Sequence, residues 1–156
     1  MSEEIWKKLV GFAYTGQMTL HYDDVKSVLE AADYLMMQRV TEMCESFIET
    51  HLNIHNVLEF FHYSKAFPHL ALSEKTKSFL YRNFSEVVDR ASQTFVQLEV
   101  DDMLQILSRS ELEVKSEEEV FRAVEVWIEA KHKTRKQFME ILLSKVRRYL
   151  VCFYTH

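Results

Sequence analysis

The sequence predicts an all-α protein of one ordinary domain or two small ones, and three observations carry that expectation. Apolar side chains recur at helical spacing through most of the 156 residues. Only two glycines and one proline are present, too few for the turns and hairpins that a sheet protein consumes. The apolar runs also open and close on residues that suit helix ends. With 47% hydrophobic and 28% charged residues, the composition is that of a folded globular chain.

The first predicted helix spans residues 3–13. Glu3 and Glu4 open it, where carboxylates oppose the helix dipole, and Ile5, Trp6, Leu9, Val10 and Ala13 turn inward. Tyr14-Thr15-Gly16-Gln17 is a turn, and Met18-Thr19-Leu20 alternates like one short strand. Asp23 and Asp24 cap a helix whose inner face is Val25, Val28, Leu29, Ala32 and Leu35. A second helix follows at once, with Val40, Met43, Cys44, Phe47 and Ile48 inward. Two amphipathic helices so closely joined pack antiparallel as a hairpin.

Leu52-Asn53 breaks the pattern, and Asn53 suits the N-cap of a helix from Ile54 to about Ala66. Ile54, Val57, Leu58 and Phe61 share one face, while Phe60, Tyr63 and Phe67 lie off it. A helix apolar on two sides is either sandwiched or presents a groove to a partner. Pro68 ends the segment. A further helix, from about Leu70 to Phe84, carries Leu72, Phe79, Leu80 and Phe84. Residues 89–99 lose the period and read as a loop with a short helical turn near Thr94–Val96. Val100, Met103, Leu104 and Leu107 mark a short helix, and residues 108–116 are a connector. Ser116 with Glu119 has the spacing of a capping box before a helix to Ala130, with Val120, Phe121, Val124, Trp127 and Ile128 inward. Lys131 and Lys133 suit its C-terminal end. The last helix, about Arg135 to Tyr149, turns Phe138, Ile141, Leu142, Val146 and Tyr149 inward and carries Arg147 and Arg148 in its last turn. Residues 151–156 fit no helix.

The run FAYTG, a short strand, then DDVKSVLEAADYLMMQRVTEMCESFIETHL resembles the second half of a BTB (POZ) domain of the BTB–BACK–Kelch, or Kelch-like, family. From Asn53 onward, with SRSELEVKSEEEVFRAVEVWIEAK most telling, the chain is similar to the BACK domain of that family. The resemblance covers about Ile5 to Leu150. It implies three segments: residues 1–52 as the C-terminal half of a BTB domain, 53–150 as an incomplete BACK domain beginning with the helix pair called the 3-box, and 151–156 as a tail outside the family pattern. The fold expected is therefore a helical hairpin from a truncated BTB domain followed by a BACK-type helical bundle. A BTB domain ordinarily carries further elements upstream, a sheet among them, and a Kelch propeller ordinarily follows BACK. Two glycines cannot supply the blades of a propeller.

The resemblance also implies a function. In this family the BTB half dimerises and holds cullin-3, BACK is a spacer, and Kelch holds the substrate of a cullin-3 RING E3 ubiquitin ligase. The chain is thus expected to be a protein-interaction module from such a substrate adaptor, with cullin-3 and a BTB partner chain as partners. The alternative is a truncated regulatory or structural isoform that binds partners without delivering substrate. Tyr14 matches the turn at the edge of the family's cullin-binding face; the other reading of Tyr14 is a half-buried ring capping the helix end. Val57, Leu58, Phe60 and Phe61 of the 3-box are the further candidate contacts. The family also uses a hydrophobic-x-acidic docking motif slightly upstream of what is residue 1 here, so the resemblance implies weakened cullin binding for this stretch alone.

The residues by themselves speak against several other functions. A formal net charge of -5 without a basic stripe speaks against nucleic acid. No apolar run reaches membrane-span length, and no signal peptide is seen. No nucleophile–base pair or phosphate loop suggests an enzyme, and no cofactor is expected. His51 and His55 have ligand spacing only if one helix carries both, His62 and His69 straddle Pro68, and no carboxylate or cysteine completes a metal set. Glu117-Glu118-Glu119 reads as a solvated helix start rather than a patch for a basic partner. Cys44, between Met43 and Phe47, reads as a core thiol rather than a reactive sensor, and Cys152 as an exposed one. Two distant cysteines fit a reducing, intracellular place, cytoplasmic with the nucleus not excluded.

Overall fold

The structure is a computed structural model that describes residues 2–153, with side chains placed for residues 2–146. Helix α1, Glu3–Thr15, starts at Ser2, whose Oγ accepts from the Ile5 N–H at 3.4 Å. It ends at Gly16, which sits in the left-handed region at φ 68° and donates to the Phe12 carbonyl at 2.7 Å. A residue with a Cβ is strained in that conformation, so glycine is the chemically cheap choice there. Ile5, Leu9 and Phe12 are buried, whereas Trp6 is 49% exposed, Ala13 is exposed and Val10 is half-buried. The expected inward places of Trp6 and Ala13 are therefore corrected. Two neighbouring stripes of α1 both satisfy the helical period, and α2 packs on the one that carries Phe12.

No strand occurs among the described residues, and Met18–Leu20 is irregular. A single strand needs a ladder partner for its backbone groups, and no described segment offers one. Met18 and Leu20 instead lie partly buried against the first core. Helices α2 (Val25–Tyr34) and α3 (Gln38–His51) form the expected hairpin. Val25, Val28, Leu29 and Ala32 are buried as the stripe requires, with Ala31 beside them. Leu35 is not: it falls past the helix end and is 37% exposed. Asp24 does not cap α2 through its side chain. Its Oδ1 accepts from the His21 N–H at 3.0 Å and its Oδ2 pairs with Lys8 of α1. Those contacts hold its carboxyl below the usual range against the opposing effect of burial. On α3, Val40, Cys44 and Ile48 are buried, while Met43 and Phe47 are only partly so.

Asn53 and Asn56 bridge α3 to α4 reciprocally. Asn53 Oδ1 accepts from the Asn56 N–H at 3.1 Å, and Asn56 Oδ1 accepts from the Asn53 N–H at 2.8 Å. That reciprocity is the geometry of a capping box built from amides. It encloses one turn, so α4 proper is Val57–Ser64, shorter than residues 54–66. Helix α5, Ala71–Arg82, stops at Asn83, and a separate α6, Phe84–Arg90, continues where one helix to Phe84 was expected. Helix α7, Ser92–Phe95, fills part of the expected loop. Helix α8, Val100–Leu107, and the irregular connector after it match the sequence reading.

Helix α9 is Glu117–Ala130. Ser116 makes no side-chain cap bond; Glu119 Oε2 instead accepts from the Lys115 N–H at 3.1 Å and from Ser85 Oγ. Val120, Val124, Trp127 and Ile128 are buried, but Phe121 is 40% exposed and Ala123 takes the inner place expected for it. A short α10, His132–Arg135, and a 3-10 turn, Lys136–Phe138, lead into α11, Met139–Phe153. Leu142 and Val146 are buried, Phe138 packs partly buried, and Ile141 is 46% exposed rather than inward. Helix α11 runs through residues 151–153, which the sequence reading placed in a non-helical tail. The side chains of Arg147, Arg148, Tyr149 and Cys152 lie outside the described set.

Two cores result. One joins α1, α2 and α3 with Leu72 of α5; the other joins Leu80 and Tyr81 of α5 with α6 to α9 and α11. Helices α4 and α5 each belong to both. Phe60 is buried in the first, and Val57, Leu58 and Phe61 are buried in the second. The sandwiched alternative for a helix apolar on two sides is the one adopted.

Candidate interaction surface

The residues expected to dock a partner divide sharply by exposure. Tyr14, on the last turn of α1, is 87% exposed, so its ring does not cap the helix half-buried. That end is held instead by Gly16 and by Thr15 Oγ1, which donates to the Gly11 carbonyl at 2.8 Å and accepts from the Gln17 N–H at 3.2 Å. Val57, Leu58, Phe60 and Phe61 are each at most 2% exposed. They position a surface and contribute almost none of it.

What α4 does present, together with the turn before α2 and the first turn of α2, is a cation–aromatic ridge. Tyr22, 45% exposed, stands edge-on to Phe60 with ring centroids 6.1 Å apart, and Asn56 Nδ2 donates to its hydroxyl at 3.4 Å. The Lys26 ammonium lies 5.0 Å from the centroid of Phe60 and 5.4 Å from that of Tyr63, and pairs with Glu59. Tyr63 Oη donates to the Lys26 carbonyl at 3.0 Å. Burial pushes the Tyr63 hydroxyl up, and the neighbouring Glu30 carboxylate adds to it, so it stays a neutral donor. One signal for this ridge was in the sequence: Tyr63 off the main stripe of α4. The parts supplied by Tyr22 and Lys26 had none, because they come from another element.

The α2–α3 link is another exposed apolar feature. Tyr34 is 83% and Met36 91% exposed, and Met36 adopts φ 55°, unusual for a residue with a Cβ. His69 Nε2 lies 2.8 Å from Asp33 Oδ1 beside it. The remaining histidines of interest have local partners or none in common. His51 stacks on Phe47 at 4.1 Å and its Nδ1 lies 2.7 Å from the Phe47 carbonyl oxygen, while His55 sits in the turn before α4. Among the described residues, no three His, Cys, Asp or Glu side chains converge as metal ligands. Among them too, no helix is long and apolar enough to cross a membrane. Cys44 is fully buried, and burial first, then the Asp24 and Glu45 carboxylates, push its thiol up to about 12, far from a reactive thiolate.

The family model for BACK, "BTB And C-terminal Kelch", matches residues 57–152, and the BTB/POZ domain model matches residues 1–52. The chain belongs to the BACK family. Its BACK segment is joined to a BTB segment, and α4, shared by the two cores, opens the BACK match. Kelch-like protein 7 of Rattus norvegicus and of Mus musculus are each 29% identical to it over 148 residues, and that of Homo sapiens is 28% identical over the same length. Each alignment covers 95% of this chain and 25% of the relative, so the chain spans about a quarter of the length of these proteins. No Kelch repeat lies within the 156 residues.

Proposed function

We propose that this chain is a protein-interaction segment of a Kelch-like substrate adaptor for a cullin-3 RING E3 ubiquitin ligase, with the BACK bundle as spacer. It is a binding module and not an enzyme, and its place is intracellular. The observation that carries this reading is α4. Its burial in two cores at once turns the ridge of Tyr22, Lys26, Glu59 and Tyr63 into a preorganised face, and preorganisation lowers the ordering cost of association. Val57, Leu58, Phe60 and Phe61 act by holding that face in place, and Tyr14 stands free at the end of α1 to make contact directly. Kelch-like relatives and a BTB match support a role in assembly with other chains, dimerisation included.

Titration calorimetry of the chain with the N-terminal domain of cullin-3 tests the proposal. Saturable binding with a Kd in about the micromolar range is expected. Tyr22→Ala and Tyr14→Ala, both exposed, are expected to weaken it without unfolding the chain. Absence of saturable heat with a sample shown to be helical by circular dichroism contradicts it. That outcome favours a fragment that occupies other partners.

A further inference from the structure

Packing of the second core leaves one buried polar atom over. Tyr81, on α5, is 5% exposed, and its hydroxyl has no hydrogen-bond partner among the described residues. Native chains pair almost all such groups, so an orphan calls for a physical reason. The hydroxyl is not surrounded by apolar packing alone. Burial raises it, the Arg109 guanidinium opposes that, and the Glu111 and Glu74 carboxylates add to it, so all three charged side chains lie close by.

Those side chains line a cleft of about 570 Å³. Glu74, Lys77, Ser78 and Tyr81 form one wall, and their spacing of i, i+3, i+4 and i+7 puts them on a single face of α5. Arg109, Glu111 and Glu113, from the connector after α8, form the other wall. The connector is held there twice: Leu112 is 6% exposed in the second core, and the Glu113 N–H donates to the Tyr81 carbonyl at 3.0 Å. The cleft is therefore preformed, and its volume lies within the roughly 300–1,000 Å³ that suits a ligand site. Arg82, Leu112 and Glu113 also line a neighbouring cavity of about 490 Å³. Cavities that share these residues make a trough along the connector, a shape that suits a linear occupant.

We propose that this trough binds an uncharged segment of a partner polypeptide, and that the cleft over Tyr81 takes a glutamine or asparagine side chain of that segment. A carboxamide offers what the walls lack: its carbonyl accepts from the Tyr81 hydroxyl and from Arg109, and its NH2 donates to Glu111. Charge balance selects a neutral occupant. Lys77, Arg82 and Arg109 stand against Glu74, Glu111 and Glu113, and Lys77 is already paired with Glu74 at 2.8 Å. A carboxylate in the cleft is opposed by Glu111 and Glu113, and an ammonium by Arg82 and Arg109. A phosphate backbone or an anionic membrane surface meets the same two carboxylates. No wall of the trough belongs to the ridge of Tyr22, Lys26, Glu59 and Tyr63, so the site stands whether or not that ridge binds cullin.

The test uses the whole chain and a labelled synthetic peptide of serine and leucine around one central glutamine, followed by fluorescence anisotropy. Saturable binding with Kd below about 1 mM is expected. Peptides with glutamate or lysine in place of the glutamine are expected to bind at least about tenfold more weakly. Tyr81→Phe removes the hydroxyl alone and is expected to weaken the glutamine peptide about three- to tenfold. The same variant is expected to melt no lower than the parent chain, because an orphan hydroxyl has no bond to lose. Glu111→Ala, on the opposite wall, is expected to weaken the peptide in the same direction, and Lys7→Glu on α1 to leave it unaltered. Absence of saturable binding overturns the proposal, as does a glutamate peptide that binds as tightly as the glutamine one. Unchanged affinity in Tyr81→Phe also overturns it. So does a lowered melting midpoint in that variant, since the hydroxyl is then paired within the folded chain.

Discussion

The Leu98 carbonyl accepts from Trp127 Nε1 at 2.7 Å as well as from Arg135, so one oxygen ties α9, α10 and the segment before α8 together. The Trp127 ring is 1% exposed, and Trp127→Ala is expected to cost roughly 3–5 kcal/mol. Phe47→Ala is expected to cost less, because that ring is only partly buried. Urea midpoints measure both; a larger loss at Phe47 contradicts the burial of the two rings. Cys44 gives a pH prediction. Its folded thiol is raised to about 12 from an ordinary 9.0, so the folded state binds a proton that the unfolded chain releases first. Stability from this group is intact below about pH 9 and declines as pH rises from there toward about 12. Cys44→Ala is expected to flatten that alkaline decline, which urea titrations at several pH values read directly. Several residue-scale errors of the sequence reading share one physical cause. The 3.6-residue period places Trp6 next to Ile5, Phe121 next to Val120 and Ile141 next to Leu142, and only the neighbouring element decides which of each pair is covered.

At the scale of elements, the long amphipathic helices were legible because tertiary packing agrees with their stripes: the α2–α3 hairpin, α8 and α9 follow from spacing alone. The short ones were not. Helices α6 and α7 have two turns or fewer, so periodicity hardly registers, and their burial of Phe84, Val87, Val88 and Phe95 is decided by the bundle around them. Met18–Leu20 had the alternation of a strand and no ladder partner among the described residues. The candidate site was legible only in part. Its scaffold residues Val57, Leu58, Phe60 and Phe61 announced themselves by hydrophobicity, which is also why they are buried; Tyr22 and Lys26, which form the face, look ordinary in sequence. The bridge into α4 yields a local prediction. Asn53→Ala removes the acceptor of two N–H groups, those of His55 and Asn56, and is expected to cost about 1 kcal/mol. Gly16→Ala forces a Cβ into the left-handed region and is expected to cost about 1–2 kcal/mol. Thermal unfolding of either variant at the midpoint of the parent chain contradicts the cap assigned to it.

On the scale of the whole molecule, α4 makes one body out of two cores, with α5 beside it burying Leu72 in the first and Leu80 and Tyr81 in the second. Consecutive residues, Phe60 and Phe61, each at most 1% exposed, are committed to opposite sides of it. Lys65 at its end pairs with Asp102 of α8, and Tyr63 bonds back to α2, so polar contacts follow the same division. A helix so placed cannot leave one core without disturbing the other, which is the condition for a single cooperative transition. The two tryptophans report on the two sides, Trp6 from α1 and Trp127 from α9. The direct measurement is therefore urea unfolding followed by fluorescence in Trp127→Phe, where only Trp6 reports, and in Trp6→Phe, where only Trp127 reports, each compared with the circular dichroism of the same variant. Coincident midpoints of the two probes within each variant are expected. A Trp6 transition well separated from the loss of helix would contradict α4 as an element that joins the first core to the BACK bundle.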